Sequence, residues 1–163
     1  MKTLISILAI SLLVSCYSSE PDKTGHEGEI LPSFKLLKMD SASYLDTKEI
    51  LVGKPFVVFY FGPHCPYSKA QMTEILEDME KFKKIQFYII SPWPFPEIKS
   101  FYKQYQLYNY SNITVGYDFK RVFTDYLEIQ GVPYLAVYDK NKKLKEAFAG
   151  KIYSKQLKRA IED

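Results

Sequence analysis

The sequence predicts an α/β domain, and three segments carry that expectation. The run Phe56-Val57-Val58-Phe59-Tyr60-Phe61 is continuously apolar, β-branched and aromatic, the pattern of a strand buried on both faces. Residues 66–82 follow with Ala70, Met72, Ile75, Leu76, Met79 and Phe82 at helical spacing. Near the end, residues 134–138 and 144–149 flank Asp139-Lys140-Asn141-Lys142 and read as a hairpin; Ser154 then caps a last helix with Leu157, Ala160 and Ile161 inward. The remaining elements fit between these. Phe34-Lys35-Leu36-Leu37 reads as a first strand, residues 42–51 as a loop or short helix, and Gly53-Lys54-Pro55 as a turn. Residues 85–90 form a second buried strand. Residues 91–96 hold three prolines and read as irregular. Residues 97–105 read as a helix, Val115 marks a short strand, and residues 120–127 form a short helix with Val122, Phe123 and Tyr126 inward. Alternating strands and helices closed by a hairpin define the class, and ligand sites of its parallel portion lie beyond the carboxyl ends of the strands.

Composition narrows the function. The chain has 163 residues, 47% of them apolar, enough for one domain with a real core. Its 22 basic and 19 acidic residues leave a net charge of +3, too balanced to indicate a nucleic-acid partner. Two cysteines and two histidines provide neither a disulfide framework nor a structural zinc site. No nucleotide fingerprint or phosphate loop appears, and no metal or cofactor is expected.

The leader is read apart from the fold. Met1-Lys2-Thr3 precedes an apolar run over residues 4–14, shorter than the roughly 18–20 residues of a membrane span and suited to an export signal. Leu13-Val14-Ser15-Cys16 resembles the lipobox of bacterial lipoproteins. That resemblance implies that residues 1–15 are removed, that Cys16 becomes the lipid carrier, and that the chain lies in the cell envelope, facing the periplasm or exterior. Residues 16–29 then read as a flexible tether with His26 solvated, and residues 30–163 as the domain.

Cys65 stands between a buried strand and a helix. Free amides and the helix dipole at such a terminus favour an anion, and a thiolate is one. Pro66 suits the first helical position. Ser68, in the first turn, is placed to donate its hydroxyl to the sulfur, and His64 adds positive charge when protonated.

These residues carry a wider resemblance. Gly53-Lys54-Pro55, the strand after it and Gly62-Pro63-His64-Cys65-Pro66-Tyr67-Ser68 resemble the active-site segment of thioredoxin-like proteins, most of all the TlpA/ResA-like group. Gly131-Val132-Pro133-Tyr134 resembles that family's Gly-Val-cis-Pro segment beside the active thiol. The resemblance spans about residues 30–163. It implies a three-layer α/β/α sandwich with a central mixed sheet and an inserted strand–helix unit near residues 85–115. It also implies that Val132 pairs through its backbone with an extended client, in a groove shared with His64, Tyr67 and Pro133. From the residues alone, Pro133 at a strand start suits a trans edge proline equally well.

The departures are as informative. The motif's second cysteine is Ser68, the tryptophan before the first is His64, and the buried acid six residues before it is Phe59. Cys65 can attack a disulfide, with Pro66 and Ser68 supporting it, but Ser68 cannot resolve the product. Cys65-Pro66-Tyr67-Ser68 also resembles monothiol glutaredoxin sites, though the surrounding sequence does not. Three functions remain: a monothiol exchanger acting on protein or small-thiol disulfides, a non-catalytic thioredoxin-like binding module, and a one-cysteine peroxidase. The peroxidase motif Pro-x-x-x-Thr/Ser-x-x-Cys is not met, because Val58 and Gly62 occupy its two other positions. Tyr102, Tyr105, Tyr108 and Tyr110 read as half-buried packing residues. Trp93 either borders the thiol groove or pins its loop to the core.

Overall fold

The structure, a computed structural model, describes residues 20–163. The leader and Cys16 lie outside the described residues. Strands β1 (Lys35–Lys38), β2 (Tyr44–Asp46), β3 (Phe56–Tyr60), β4 (Gln86–Ser91), β5 (Ile113–Tyr117), β6 (Tyr134–Tyr138) and β7 (Leu144–Ala149) form one mixed sheet in the order β2-β1-β5-β4-β3-β6-β7. β3, β4 and β5 are parallel, while β1 and β6 join them antiparallel. The helices are α1 (Pro66–Glu77), α2 (Phe95–Gln104), α3 (Val122–Tyr126) and α4 (Ser154–Glu162). This is the thioredoxin-like α/β architecture expected from the resemblance.

Strand alternation builds two cores. Val57, Phe59 and Phe61 point to the face covered by Met72 and Ile75 of α1, Ile98 and Phe101 of α2, and Leu157 and Ala160 of α4. Phe56, Val58 and Tyr60 point to the other face, against Phe123 of α3 and the segment carrying Leu31 and Phe34. β3 is therefore buried on both sides, which its unbroken apolar run requires. Each fully buried aromatic of this strand contributes roughly 1.5–3 kcal/mol of transfer free energy.

Several local expectations change. α1 stops at Glu77, and Met79–Phe82 continues as a 3₁₀ turn. Met79 and Phe82 still reach the core, because a three-residue spacing serves both helix types. Residues 42–51 hold β2 and a 3₁₀ turn at Thr47–Glu49. α2 starts at Phe95, so Pro96 lies inside its first turn, where a missing N–H costs nothing. Ser154 does not cap α4. Tyr153 holds the N-cap position, while Ser154 donates its hydroxyl to the Glu74 carbonyl and its amide to Glu74 Oε1. Tyr102, Tyr105 and Tyr110 pack against the core, and Tyr108 is exposed.

The flexible tether expected over residues 16–29 does not describe its second half. Residues 20–30 lie along the outer edge of β7. Asp22 bridges Ala147 and Ile30 bridges Lys143, both antiparallel, and the Leu144 amide donates to the Glu29 carbonyl. The His26 ring, expected in solvent, sits 4.3 Å from that of Tyr126 and pairs with Glu29 at 2.7 Å. Backbone pairing to a strand edge depends on no side-chain pattern, so composition could not reveal it.

Candidate functional site

Cys65 is the N-cap of α1, with φ −70° and ψ 121°, and Pro66 opens the helix behind it. The Cys65 amide donates to the Gly62 carbonyl, and Lys69 returns its amide to the Cys65 carbonyl. Cys65 makes no side-chain capping bond, and the residue is half-buried. The thiol donates instead to the Val132 carbonyl, with Sγ and O 3.3 Å apart. The Val132–Pro133 peptide is cis. Two segments far apart in sequence thus meet at one sulfur.

Ser68 holds a different role from the one expected. It is fully buried, and its Oγ accepts the Gly62 amide at 3.2 Å. The hydroxyl serves the loop behind the thiol rather than the thiol itself. Gly62 is required there by close approach. A Cβ on it would meet Val132 Cγ2 at 3.0 Å and Trp93 Cζ2 at 3.3 Å. Trp93 packs on the core and approaches Gly62, so it pins the loop before the thiol, and it is not among the residues lining the cleft at Val132 and Pro133. Phe59, in the place of the family's buried acid, is fully buried. No carboxylate occupies that position.

His64 is exposed, and its Nε2 lies 3.0 Å from Glu97 Oε2 at the start of α2. Tyr67 is also exposed and lines a cleft of about 410 Å³ with Val132, Pro133, Gly150, Lys151 and Tyr153. Of the sequence-predicted groove residues, Tyr67, Val132 and Pro133 line this cleft, Val132 alone bonds the sulfur, and His64 is turned to Glu97 of α2.

The far wall of the cleft was missed in the sequence. Gly150, at φ +88°, turns the chain after β7 and donates its amide to the Pro133 carbonyl. Gln71 of α1 accepts the Ile152 amide at 2.8 Å, and Glu74 pairs with Lys151 at 2.8 Å. Burial pushes the Glu74 carboxyl up, but the Lys151 ammonium and the Ser154 amide outweigh it and hold the group below its ordinary range. Two polar residues on one turn of α1 thus clamp the loop that forms this wall of the cleft. Gln71 and Glu74 at a three-residue spacing were the only available signal, and helix surfaces carry many such pairs.

Comparison with known proteins agrees with this architecture. The AhpC/TSA family profile matches residues 28–155. No curated protein matches the chain. A thiol:disulfide interchange protein DsbE from Chlorobium tepidum, so described provisionally, superposes with a TM-score of 0.69 at 16% identity, covering 83% of this chain and 94% of that one. A secreted Mycobacterium tuberculosis disulfide oxidoreductase homologous to E. coli DsbE superposes at 0.65 and 18% identity, covering 78% and 93%. StoA from Bacillus subtilis superposes at 0.64 and 12%, covering 80% and 97%.

Proposed function

Because this chain belongs to the AhpC/TSA family, we propose that it is a thiol-disulfide exchange protein working through one cysteine, anchored to a bacterial cell-envelope membrane by a lipid on Cys16. The observation that carries the reading is the contact of 3.3 Å between Cys65 Sγ and the Val132 carbonyl at the edge of the cleft. The described fold-neighbours named as disulfide oxidoreductases support the same chemistry.

The reaction follows from these groups. Cys65, deprotonated, attacks one sulfur of a client disulfide. A bond forms between Cys65 and that sulfur, and the other client sulfur leaves as a thiolate. Losing its proton also ends the donation to Val132, which frees that carbonyl to accept a backbone N–H from the client. Chemistry and docking are thereby coupled at one atom pair. Release needs a second thiolate, because Ser68 is a hydroxyl held by the Gly62 amide. A client thiol or a small cellular thiol attacks the mixed disulfide, forms the new S–S bond and expels Cys65 as a thiolate. Sulfur oxidation states balance, and no cofactor takes part.

The test compares reduction of a mixed disulfide by excess small thiol with wild type, Cys65→Ser and Ser68→Cys. Cys65→Ser should fall to the protein-free rate. Ser68→Cys should release clients by itself, so covalent adducts recovered from cells should drop about tenfold. Equal rates for wild type and Cys65→Ser would overturn the catalytic reading and leave a binding module that uses the same groove.

A further inference from the structure

Residues 20–30 enter the fold at one particular end of the β6–β7 hairpin. Their pairing with β7 is antiparallel, with Ile30 opposite Lys143 and Asp22 opposite Ala147. Followed back toward the N-terminus, the chain therefore runs toward Ala149 and Gly150, which line the cleft. The Asp22 amide donates to the Ala147 carbonyl, and the Tyr134 hydroxyl donates to Asp22 Oδ2 at 2.8 Å. Tyr134 directly follows Pro133, another cleft residue. Burial, then the bond to Asp22, raises the Tyr134 hydroxyl well above its ordinary range, so it remains a donor at any physiological pH. Further along, Tyr126 donates to Glu29 and stacks on His26. The segment is thus fixed at both ends, and its first pinned residue, Asp22, is bonded to Tyr134, the neighbour of cleft residue Pro133.

Asp22 lies six residue steps beyond Cys16. At about 3.3–3.6 Å each, they reach at most roughly 20 Å. The opposite end of the hairpin, at Asn141, lies one further strand length away, roughly 20 Å for β7.

We propose that residues 20–30 form a strap that turns the thiol cleft toward the bilayer holding the lipid on Cys16, so that the protein's partners are disulfides presented at that membrane surface. The proposal rests on the lipoprotein reading of Cys16. A tether flexible up to residue 30 would add eight residues of reach and leave the cleft free to face any direction. The strap removes both freedoms by spending that length on backbone hydrogen bonds along β7.

The experiment reads position, not turnover. The full chain, processed in a bacterial host, is reconstituted into phosphatidylethanolamine–phosphatidylglycerol vesicles that carry a headgroup acceptor dye. A donor dye is placed on Cys65 or, in Cys65→Ser/Asn141→Cys, at the far end of the hairpin. Energy transfer to the membrane should be at least twofold higher from Cys65 than from position 141. Inserting twelve Gly/Ser residues between Glu20 and Pro21 should abolish that difference. Equal or reversed transfer in the native-length chain, with the protein bound to vesicles, would overturn the strap's role and leave the lipoprotein reading standing. Failure to bind vesicles at all would overturn the lipoprotein reading and this proposal with it. Neither outcome depends on whether Cys65 turns over.

Discussion

Two helices of this domain begin just after parallel strands, and they treat their first turns in opposite ways. At the start of α3, the Asp118 carboxylate is fully buried and accepts the Val122 amide at 3.0 Å and the Phe123 amide at 2.9 Å. At the start of α1, Cys65 stands at the N-cap with no side-chain capping bond and is only half-buried. One terminus spends its amides on stability. The other leaves its first amides without a side-chain cap and places there the thiol proposed as nucleophile. The same local setting holds a capping carboxylate in one case and an uncommitted thiol in the other.

The largest effect should come from making the start of α1 like the start of α3. Cys65→Asp should eliminate thiol exchange entirely while raising stability by about 1 kcal/mol, because an aspartate caps better than a cysteine. Urea denaturation and the mixed-disulfide assay read the two halves. A variant that lost activity and stability together would mean that Cys65 holds the loop rather than being left free by it.

Asp118→Ala should cost about 1–2 kcal/mol by leaving two buried amides without an acceptor. Exchange activity at saturating small thiol should change little. A loss of activity larger than the loss of folded protein would show that the two helix starts are mechanically coupled.

A smaller effect concerns pH. Burial pushes the Asp118 carboxyl up, and the two amides only partly offset it. The folded protein therefore binds this proton more tightly than the unfolded chain. Its contribution to stability is greatest below the unfolded value near 3.8 and declines as pH rises through the raised folded value. The stability of wild type relative to Asp118→Asn should accordingly fall as pH rises across that window. A difference that stays flat would place the carboxylate in a wetter site than its burial indicates.

The smallest effect belongs to His64. Its pair with Glu97 is 3.0 Å long, but the imidazole is 75% exposed. His64→Ala should leave the denaturation midpoint unchanged and shift the exchange rate by less than about twofold, as expected of a solvated pair. A tenfold loss would make His64 part of the chemistry.

Legibility in the sequence followed the range of the interactions involved. β3 was plain because burial on both faces leaves no polar position in Phe56-Val57-Val58-Phe59-Tyr60. The place of Cys65 at a helix start was plain because strand, turn and helix start are adjacent in the chain. β2 was missed because three residues, Tyr44–Asp46, are too few to show alternation. The end of α1 was misplaced because Met79 and Phe82 keep helical spacing after the helix has ended. Ser68 was assigned to the right place but the wrong partner. Its position in the first turn is local, whereas the choice between sulfur and the Gly62 amide depends on how the preceding loop folds.

Order of elements, helix face and a thiol at a helix start are properties of neighbouring residues, and one chain read in order contains them. That position 68 holds serine and not cysteine is likewise a matter of identity. The contact of Cys65 with the Val132 carbonyl, the clamp of Gln71 and Glu74 on residues 151–154, and the strap over β7 join segments distant in sequence. Their partners are mostly backbone groups, which every residue carries alike. Folding brings them together, and no pattern of side chains announces them beforehand.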